Sequence, residues 1–426
     1  MGFDGRRIGI LVGGGPAPGI NGVIGSATIE AINHGLQVIG IYDGFKWLSQ
    51  GDISHVKNLS KSDVIKSRFE GGSILNTSRE NPTKSEEKMK NVVNSLKNLG
   101  LDYLITIGGD DTAFSASQTY KFAGGAIRVA HVPKTIDNDL PLPSNMPTFG
   151  FHTARHVGAE LVANLLEDAR TTHRWYLVVA MGRTAGHLAL GMGIAGGATL
   201  TIIPEEFKTK PTINDVCSII EGAIFKAKAL GQDYGVCVIA EGVGDLLKEE
   251  LKDNPLAIVE YDEHGHFRMA EVPLCLIIKR TLNQRFKGRG EKAQFIDVTI
   301  GYELRCAKPI PFDVEYTHQL GCGAVRYLLN KTEYQYKTGA LISSQAGKIV
   351  PIPFDEILDP KTGKTAVRKV DIKSDLYSAA RSMMIRLEKT DFHNEKLLSE
   401  ISRVAKLSVD EFKKQFSQCV EQTSIC

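Results

Sequence analysis

Residues 7–19 read RIGILVGGGPAPG: an apolar, β-rich run, Arg7–Gly13, that ends in glycines. Ile20–His34 follows with apolar residues spaced three and four apart. A strand, a glycine turn and an amphipathic helix in that order open a βαβ unit. The pattern recurs. Val38–Tyr42, Asp102–Ile107 (DYLITI) and Ala126–Val132 predict further strands, and so do Tyr176–Met181, Thr199–Ile203, Gly235–Ala240 and Phe295–Ile300. Thr83-x-x-Glu86 reads as a capping box opening a helix that ends at Gly100. So many strands exceed one sheet. The predicted fold class is α/β, with two doubly wound, Rossmann-like domains of mostly parallel strands. From about Ser374 the chain is polar and helical, a C-terminal extension packed on the outside. Gly242–Gly288 is charged and mixed and specifies little structure; Lys361–Lys364 (KTGK) reads as a surface turn.

Composition narrows the function. The 426 residues are 42% hydrophobic and 23% charged, enough apolar surface for a packed core. Lys and Arg total 51 against 49 Asp and Glu, a net charge of +2. That balance removes the electrostatic case for a dedicated nucleic-acid or membrane-surface binder. Glycine is enriched, at 42 residues, which suits tight turns and backbone close to ligands. No apolar run reaches the ~18–20 residues of a membrane span. The start, MGFDGRR, lacks a signal-peptide core and has Arg6 where a myristoylation signal wants Ser or Thr. Seven scattered cysteines without CxxC spacing predict free thiols and no zinc site. The expectation is a soluble cytoplasmic protein.

In open α/β sheets ligands bind beyond the carboxyl ends of the strands. Four such ends carry unusual residues. Gly13–Gly19 (GGGPAPG) exposes backbone N–H groups at a helix start, suited to phosphate, though it is neither GxGxxG nor GxxxxGK[ST]. Gly108-Gly-Asp-Asp-Thr112 places carboxylates beyond two glycines, where they hold a metal or simply cap a helix. Pro133-Lys-Thr-Ile-Asp-Asn-Asp139 is a dense polar cluster; a carboxylate there can accept a hydroxyl proton, and Asn-Asp also suits a plain turn. Met181-Gly-Arg183 offers a close backbone and a guanidinium fork for phosphate.

Taken together and in this order, GGGPAPG, GGDDT at 108–112, PKTIDND at 133–139, MGR at 181–183, Pro204-Glu205 and GYELR at 301–305 resemble the phosphofructokinase family over about residues 7 to 330. The resemblance implies phosphoryl transfer to the 1-hydroxyl of fructose 6-phosphate, giving fructose 1,6-bisphosphate in glycolysis. It makes Asp137 the general base, with Thr135 on the transferring phosphoryl group and Ile136 beside the sugar. Asp110 holds Mg²⁺, assisted by Asp139 through water, and Gly15 supplies backbone N–H to the donor. Arg79 bridges the donor phosphates with Lys84 assisting. Met181, Gly182, Arg183 and Glu205 line the sugar pocket, and Tyr302 and Arg305 take the 6-phosphate. Arg174 matches an arginine lent to a neighbouring subunit, which implies a homodimer or homotetramer with shared sites. The implied domains are a donor domain of residues 1–140 rejoined by about 310–373, a sugar domain of 141–309, and the extension 374–426.

Two positions bear on the donor. ATP-using members of the family have glycine where this chain has Asp111 and Lys134. An aspartate there fills the space of an α-phosphate and repels it: two unit charges ~4 Å apart at an effective dielectric of ~20 interact by about 4 kcal/mol. Lys134 adds positive charge where a small donor and its transition state need it. The pair resembles pyrophosphate-dependent phosphofructokinases, as do Pro16 and Tyr302. Donor and product then differ little in free energy, so the reaction runs both ways. Two arginines of allosteric ATP enzymes align with Gly25 and Ile29, so a nucleotide effector site is not expected. A further neighbour-subunit arginine aligns near Ile296, where Arg289 or Lys292 are the nearby cations. The alternatives are an ATP-dependent enzyme, a sedoheptulose 7-phosphate kinase of the same fold, or a catalytically silent sugar-phosphate-binding subunit.

Overall fold

The computed structural model describes residues 5–143, 146–252, 254–256, 272–331, 338–357 and 366–423. The chain forms two compact units, Met1–Ala154 with Glu303–Arg368, and Arg155–Tyr302 with Lys369–Cys426. Along the chain the strands are β1 (Arg7–Val12), β2 (Gln37–Ile41), β3 (Val56–Leu59), β4 (Tyr103–Gly108), β5 (Arg128–Thr135), β6 (Phe149–Gly150), β7 (Trp175–Ala180), β8 (Leu200–Ile202), β9 (Gly235–Ala240), β10 (Phe295–Ile300), β11 (Ala340–Gln345) and β12 (Lys348–Pro353).

The first unit holds a sheet in the order β12-β11-β5-β4-β1-β2-β3, with β6 against β5. Its five inner strands are parallel, and the two edges, β12 and β3, are antiparallel. From β3 the chain returns across β2 and β1 to form β4, so strand order reverses between β1 and β4. That reversal opens a crevice at their carboxyl ends. Register aligns the ends: Val12 lies opposite Ile107, and Gly108 opposite Pro133. The three polar motifs that follow β1, β4 and β5 therefore share one edge. Alternation along β1 sends Ile8, Ile10 and Val12 to a core with Val23, Ile24, Leu320 and Ala324 of helices Ile20–Asn33 and Pro311–Leu328. Leu11 points the other way, toward Val92, Leu96 and Ala116 of helices Glu86–Asn98 and Asp110–Phe122.

The second unit holds four parallel strands in the order β10-β7-β9-β8. Ala180 pairs with both Ile300 and Ala240, which brings Met181, Gly301 and Glu241 to one edge. Helices Asp375–Met383, Glu395–Val404 and Val409–Thr423 belong to this unit and bury Leu398, Ile401, Phe412 and Phe416.

The helix predicted from Thr83-x-x-Glu86 starts later than that box implies. Pro82–Lys84 is a single 3-10 turn capped by Asn81, and Ser85 caps the helix proper by accepting from Lys88 N–H. Within Gly242–Gly288 the described residues include the helices Glu241–Leu246, Lys248–Lys252 and Leu274–Gly288. The turn at Lys361–Lys364 lies outside the described residues. Among the described residues no helix is long and apolar enough to cross a membrane.

Candidate active site

The glycine loop after β1 is fixed by its own backbone. Gly13 N–H donates to Ile107 O and Gly14 N–H to Ser78 O, each at 2.8 Å, while the Thr77 hydroxyl donates to Gly14 O at 2.5 Å. Gly13 and Gly108 are glycine because Thr112 packs against both: a Cβ on either would stand within 2.5 Å of its side chain. The helix that follows opens at Gly19, left-handed at φ 99°, with no side-chain cap. Its first-turn N–H groups face the loop without a competing side chain.

The second motif behaves likewise. Gly109 is the N-cap of helix Asp110–Phe122 and makes no side-chain cap bond, so neither Asp110 nor Asp111 is the cap. Both carboxylates sit in the first turn, with Asp110 half-buried and Asp111 exposed. Beneath them His131 is fully buried. Its Nε2–H donates to Gly108 O at 3.1 Å and its Nδ1 accepts from the Thr106 hydroxyl at 2.9 Å, since a carbonyl can only accept. Burial holds its pKa down at about 3, so the ring is neutral.

Lys134, 4% exposed at the end of β5, is the centre of the first unit's site. Its ammonium donates to Gly15 O. Burial lowers its pKa to about 8; Asp137 and Asp110 oppose that shift, and Arg305 and Arg79 reinforce it. Lys134, Asp137, Asp110, Arg305 and Arg79 thus share one electrostatic neighbourhood. Arg305 stands against the donor loop, its guanidinium carbon 3.4 Å from where a Cβ on Gly15 would lie. Asp137 is 8% exposed, and its N–H donates to the Thr135 hydroxyl at 3.0 Å. Ile136 is buried, and Asp139 is buried as well. Arg79 is exposed, and so is Lys84, the last residue of the 3-10 turn.

In the second unit the turn after β7 is tied from several sides. Met181 N–H donates to Ile300 O at 3.0 Å. Gly182 and Arg183 both donate N–H to one carboxylate oxygen, Glu241 Oε2, at 3.1 and 2.9 Å. Arg183 is left-handed at φ 52°, a conformation such doubled anchoring can hold. Glu205 Oε1 accepts from Gly186 N–H at 2.9 Å and Val370 N–H at 3.1 Å, and Lys369 donates to Thr184 O. Burial raises the Glu205 pKa, with these N–H donors opposing the rise. A cavity at this edge is lined by Val179, Met181, Glu241, Cys275, Thr299 and Tyr302. Glu205 is not among its lining residues; its carboxylate holds Gly186 and Val370 beside the turn.

Glu241 was missed in the sequence. Its signal was the same as for the other motifs: Ala240-Glu241-Gly242 sits directly after a strand run. Arg174 precedes β7 and donates to Gln294 at 3.3 Å, at the strand end opposite Met181. Six residues of strand separate the two by about 20 Å, so it does not join its own unit's site. Arg289 is engaged by the buried Glu221 at 2.6 Å. Among the described residues no group of three or more His, Cys, Asp or Glu could close around a metal ion.

A doubly wound unit with a phosphate-suited loop at its switch point defines a phosphoryl-handling α/β protein, and comparison with known proteins narrows it. Residues 7–328 match the phosphofructokinase family, and the chain belongs to it. It is 58% identical over 417 residues to the pyrophosphate--fructose 6-phosphate 1-phosphotransferase of Thermotoga maritima, covering 98% of this chain and 99% of that protein. The protein of the same name from Naegleria fowleri is 49% identical over 97% of this chain and 96% of its own. A crystal structure of pyrophosphate-dependent phosphofructokinase from Marinobacter aquaeolei shares the fold at 18% identity, with a TM-score of 0.64 over 87% of each chain.

Proposed function

We infer that this chain transfers a phosphoryl group from pyrophosphate to the 1-hydroxyl of fructose 6-phosphate, giving fructose 1,6-bisphosphate and phosphate, reversibly, in glycolysis. The observation that carries this reading is the buried Lys134 ammonium, set on the donor-loop carbonyl with Asp137, Asp110, Arg79 and Arg305 around it. In the step, the sugar oxygen forms a bond to phosphorus while the bridging P–O bond of pyrophosphate breaks. Asp137 takes the hydroxyl proton, and the departing phosphate carries away the bond's electron pair. Lys134 and Arg79 offset the negative charge gathering on the phosphoryl oxygens, and Thr135 touches that group. Arg305, which the family resemblance sets on the 6-phosphate, serves the phosphoryl charge as well in this reading, because its guanidinium stands against Gly15. Lys84 assists at the donor phosphates. Met181, Gly182, Arg183 and Tyr302 hold the sugar phosphate, with Glu241 fixing the Gly182–Arg183 backbone.

The donor set fits Mg²⁺, which keeps waters and substrate oxygens and needs few protein carboxylates. Asp110 would hold it, with Asp139 assisting through water, and the ion would neutralise charge on the donor. Arg174, stranded at the far end of β7, serves a second copy of the chain in this reading, which makes the enzyme a homo-oligomer. Nucleotide regulation at the first helix is absent from the reading because Arg68 fills the place: a Cβ on Gly25 would meet its Cβ at 2.7 Å. The setting is the cytoplasm.

Initial rates with Mg-pyrophosphate and with Mg-ATP at saturating fructose 6-phosphate test the reading. Turnover with pyrophosphate and little with ATP is expected; turnover with ATP alone overturns it. Asp137→Asn should keep binding and lose several orders of magnitude in kcat.

A further inference from the structure

We propose that Arg368 is a positioning residue for the Thr135–Asp139 loop, acting on the chemical step through Asn138. It lies beyond residue 328, where the family match ends. The proposal rests on the reading of Asp137 as the proton acceptor.

Asn138 is left-handed, at φ 57°. A residue other than glycine stays there only when its surroundings enforce it. Arg368 supplies that enforcement. Its Nε and Nη2 both donate to Asn138 O at 3.0 Å, and Nη2 also donates to Asn138 Oδ1. Its Nη1 donates to Met146 O at 2.8 Å, and its backbone N–H to Asp139 O at 2.7 Å. One planar fork therefore grips the loop's left-handed residue by both carbonyls, while the backbone of the same residue holds the next peptide. Lysine, a single point donor, cannot reproduce this.

The other side of Asp137 is fixed as well. Its N–H is held by the Thr135 hydroxyl, and Thr148 spans both sides. The Thr148 hydroxyl donates to Thr135 O at 2.8 Å, and its N–H to Asn138 Oδ1 at 3.0 Å. Asp137 sits between two anchored points, and Arg368 is the larger part of the second. Releasing it lets the backbone after Asp137 leave the left-handed conformation and turn the carboxylate away. Displacements of about 1 Å at a reacting group cost up to ~100-fold in rate.

The experiment is a double-mutant cycle in the full chain with Arg368→Ala and Asn138→Gly. Steady-state kinetics are measured in both substrates, thermal unfolding is recorded alongside, and Arg368→Lys is added as the conservative variant. Arg368→Ala is expected to lower kcat by ~10–100-fold, with KM for pyrophosphate within ~3-fold of wild type. Asn138→Gly accepts the left-handed conformation but loses the Oδ1 anchor, so it should cost less. The double variant should lose less than the product of the two single losses, because both changes remove the link from Arg368 to Asn138 Oδ1, and Asn138→Gly adds only the loss of the Thr148 N–H bond. Arg368→Lys should recover only part of kcat. A folded Arg368→Ala with wild-type kcat overturns the proposal, and so do losses that multiply in the double variant. If Arg368→Ala fails to fold, a folded Arg368→Lys decides: kcat down by ~3-fold or more supports the proposal, and wild-type kcat overturns it. Asp137→Asn separates the two readings. Full activity there removes the base assignment itself, whereas its collapse beside an unaffected Arg368→Ala removes only the positioning role.

Discussion

The ammonium of Lys134 donates to the carbonyl of Gly15, joining the end of β5 to the loop after β1 across β4. The contact gives one buried cation two duties: it fixes the donor loop and presents charge to the donor. With a pKa lowered to about 8, it loses that charge at modestly alkaline pH. For pyrophosphate, kcat/KM should therefore fall above pH 8 by up to tenfold per unit, and Lys134→Met should start lower and lack that limb. Stability moves the other way. The unfolded side chain titrates at 10.5, so between pH 8 and 10.5 the unfolded state binds more protons, and this group's contribution to stability rises with pH. Opposite slopes in activity and in urea midpoint, both flattened in Lys134→Met, are the expected result.

Asp111 is exposed, which changes the weight of its charge in donor choice. An effective dielectric of ~20, typical of pairs near a protein surface, gives about 4 kcal/mol of repulsion against a nearby phosphate, but the full water screening open to an exposed side chain gives only ~1 kcal/mol, roughly fivefold. Asp111→Gly alone should then improve ATP kcat/KM by no more than ~10-fold. Asp111→Gly with Lys134→Gly should gain more ATP use and lose pyrophosphate use, because the second change removes the contact with Gly15. Paired assays with both donors check this. A double variant with no ATP turnover would show that other residues also exclude the nucleotide.

These sites were legible where a strand run met an abrupt change of residue type. β1, β4, β5 and β7 each end in glycine or a polar cluster, and buried parallel strands read as continuous apolar runs. Three strands of the first unit were not legible: β3 (VKNL) is short and polar at its centre, β11 (ALISSQ) carries two serines and a glutamine, and β12 (KIVPIP) is apolar but broken by two prolines. Glu241 carries the same strand-end signal, but a lone glutamate in the first turn of a helix also reads as an ordinary partner of the helix dipole. Arg305 could not be placed by motif alone, since its position against Gly15 depends on the path of the chain after β10. Arg368 is a lone arginine in a charged stretch, and nothing local separates it from a solvated one.

His131 should make the first unit sensitive to acid. It is neutral and fully buried, with its folded pKa down at about 3 against 6.5 when unfolded. Below 6.5 the unfolded chain takes up a proton that the folded ring refuses. This group's stability contribution is complete above pH 6.5 and is lost progressively as pH falls toward 3. The urea midpoint of wild type should drop between pH 6.5 and 4.5. His131→Asn, destabilised at neutral pH by loss of the Thr106 and Gly108 bonds, should show a shallower drop across that window. Equal slopes in the two proteins would assign the acid response to other groups.

In the second unit Arg386 meets Glu206 through two bonds, at 2.8 and 3.0 Å, and the Tyr377 hydroxyl adds a third at 2.7 Å. Both charged side chains are almost completely buried, at 3% and 1% exposure. A buried pair of this kind contributes little beyond an apolar substitute, yet removing one partner strands the other charge and costs about 3–5 kcal/mol. Glu206 adjoins Glu205, whose carboxylate holds Gly186 and Val370, so the C-terminal helices are pinned beside the Met181–Arg183 turn. Arg386→Met should lower stability by about that amount and raise KM for fructose 6-phosphate, leaving KM for pyrophosphate near wild type. Adding Glu206→Gln should restore much of the stability, because the stranded charge is gone, while the sugar KM stays high. Chemical denaturation with paired kinetics reads both effects. A double variant as unstable as the sum of its single changes would mean that the two side chains act independently and that the pairing is incidental to the turn.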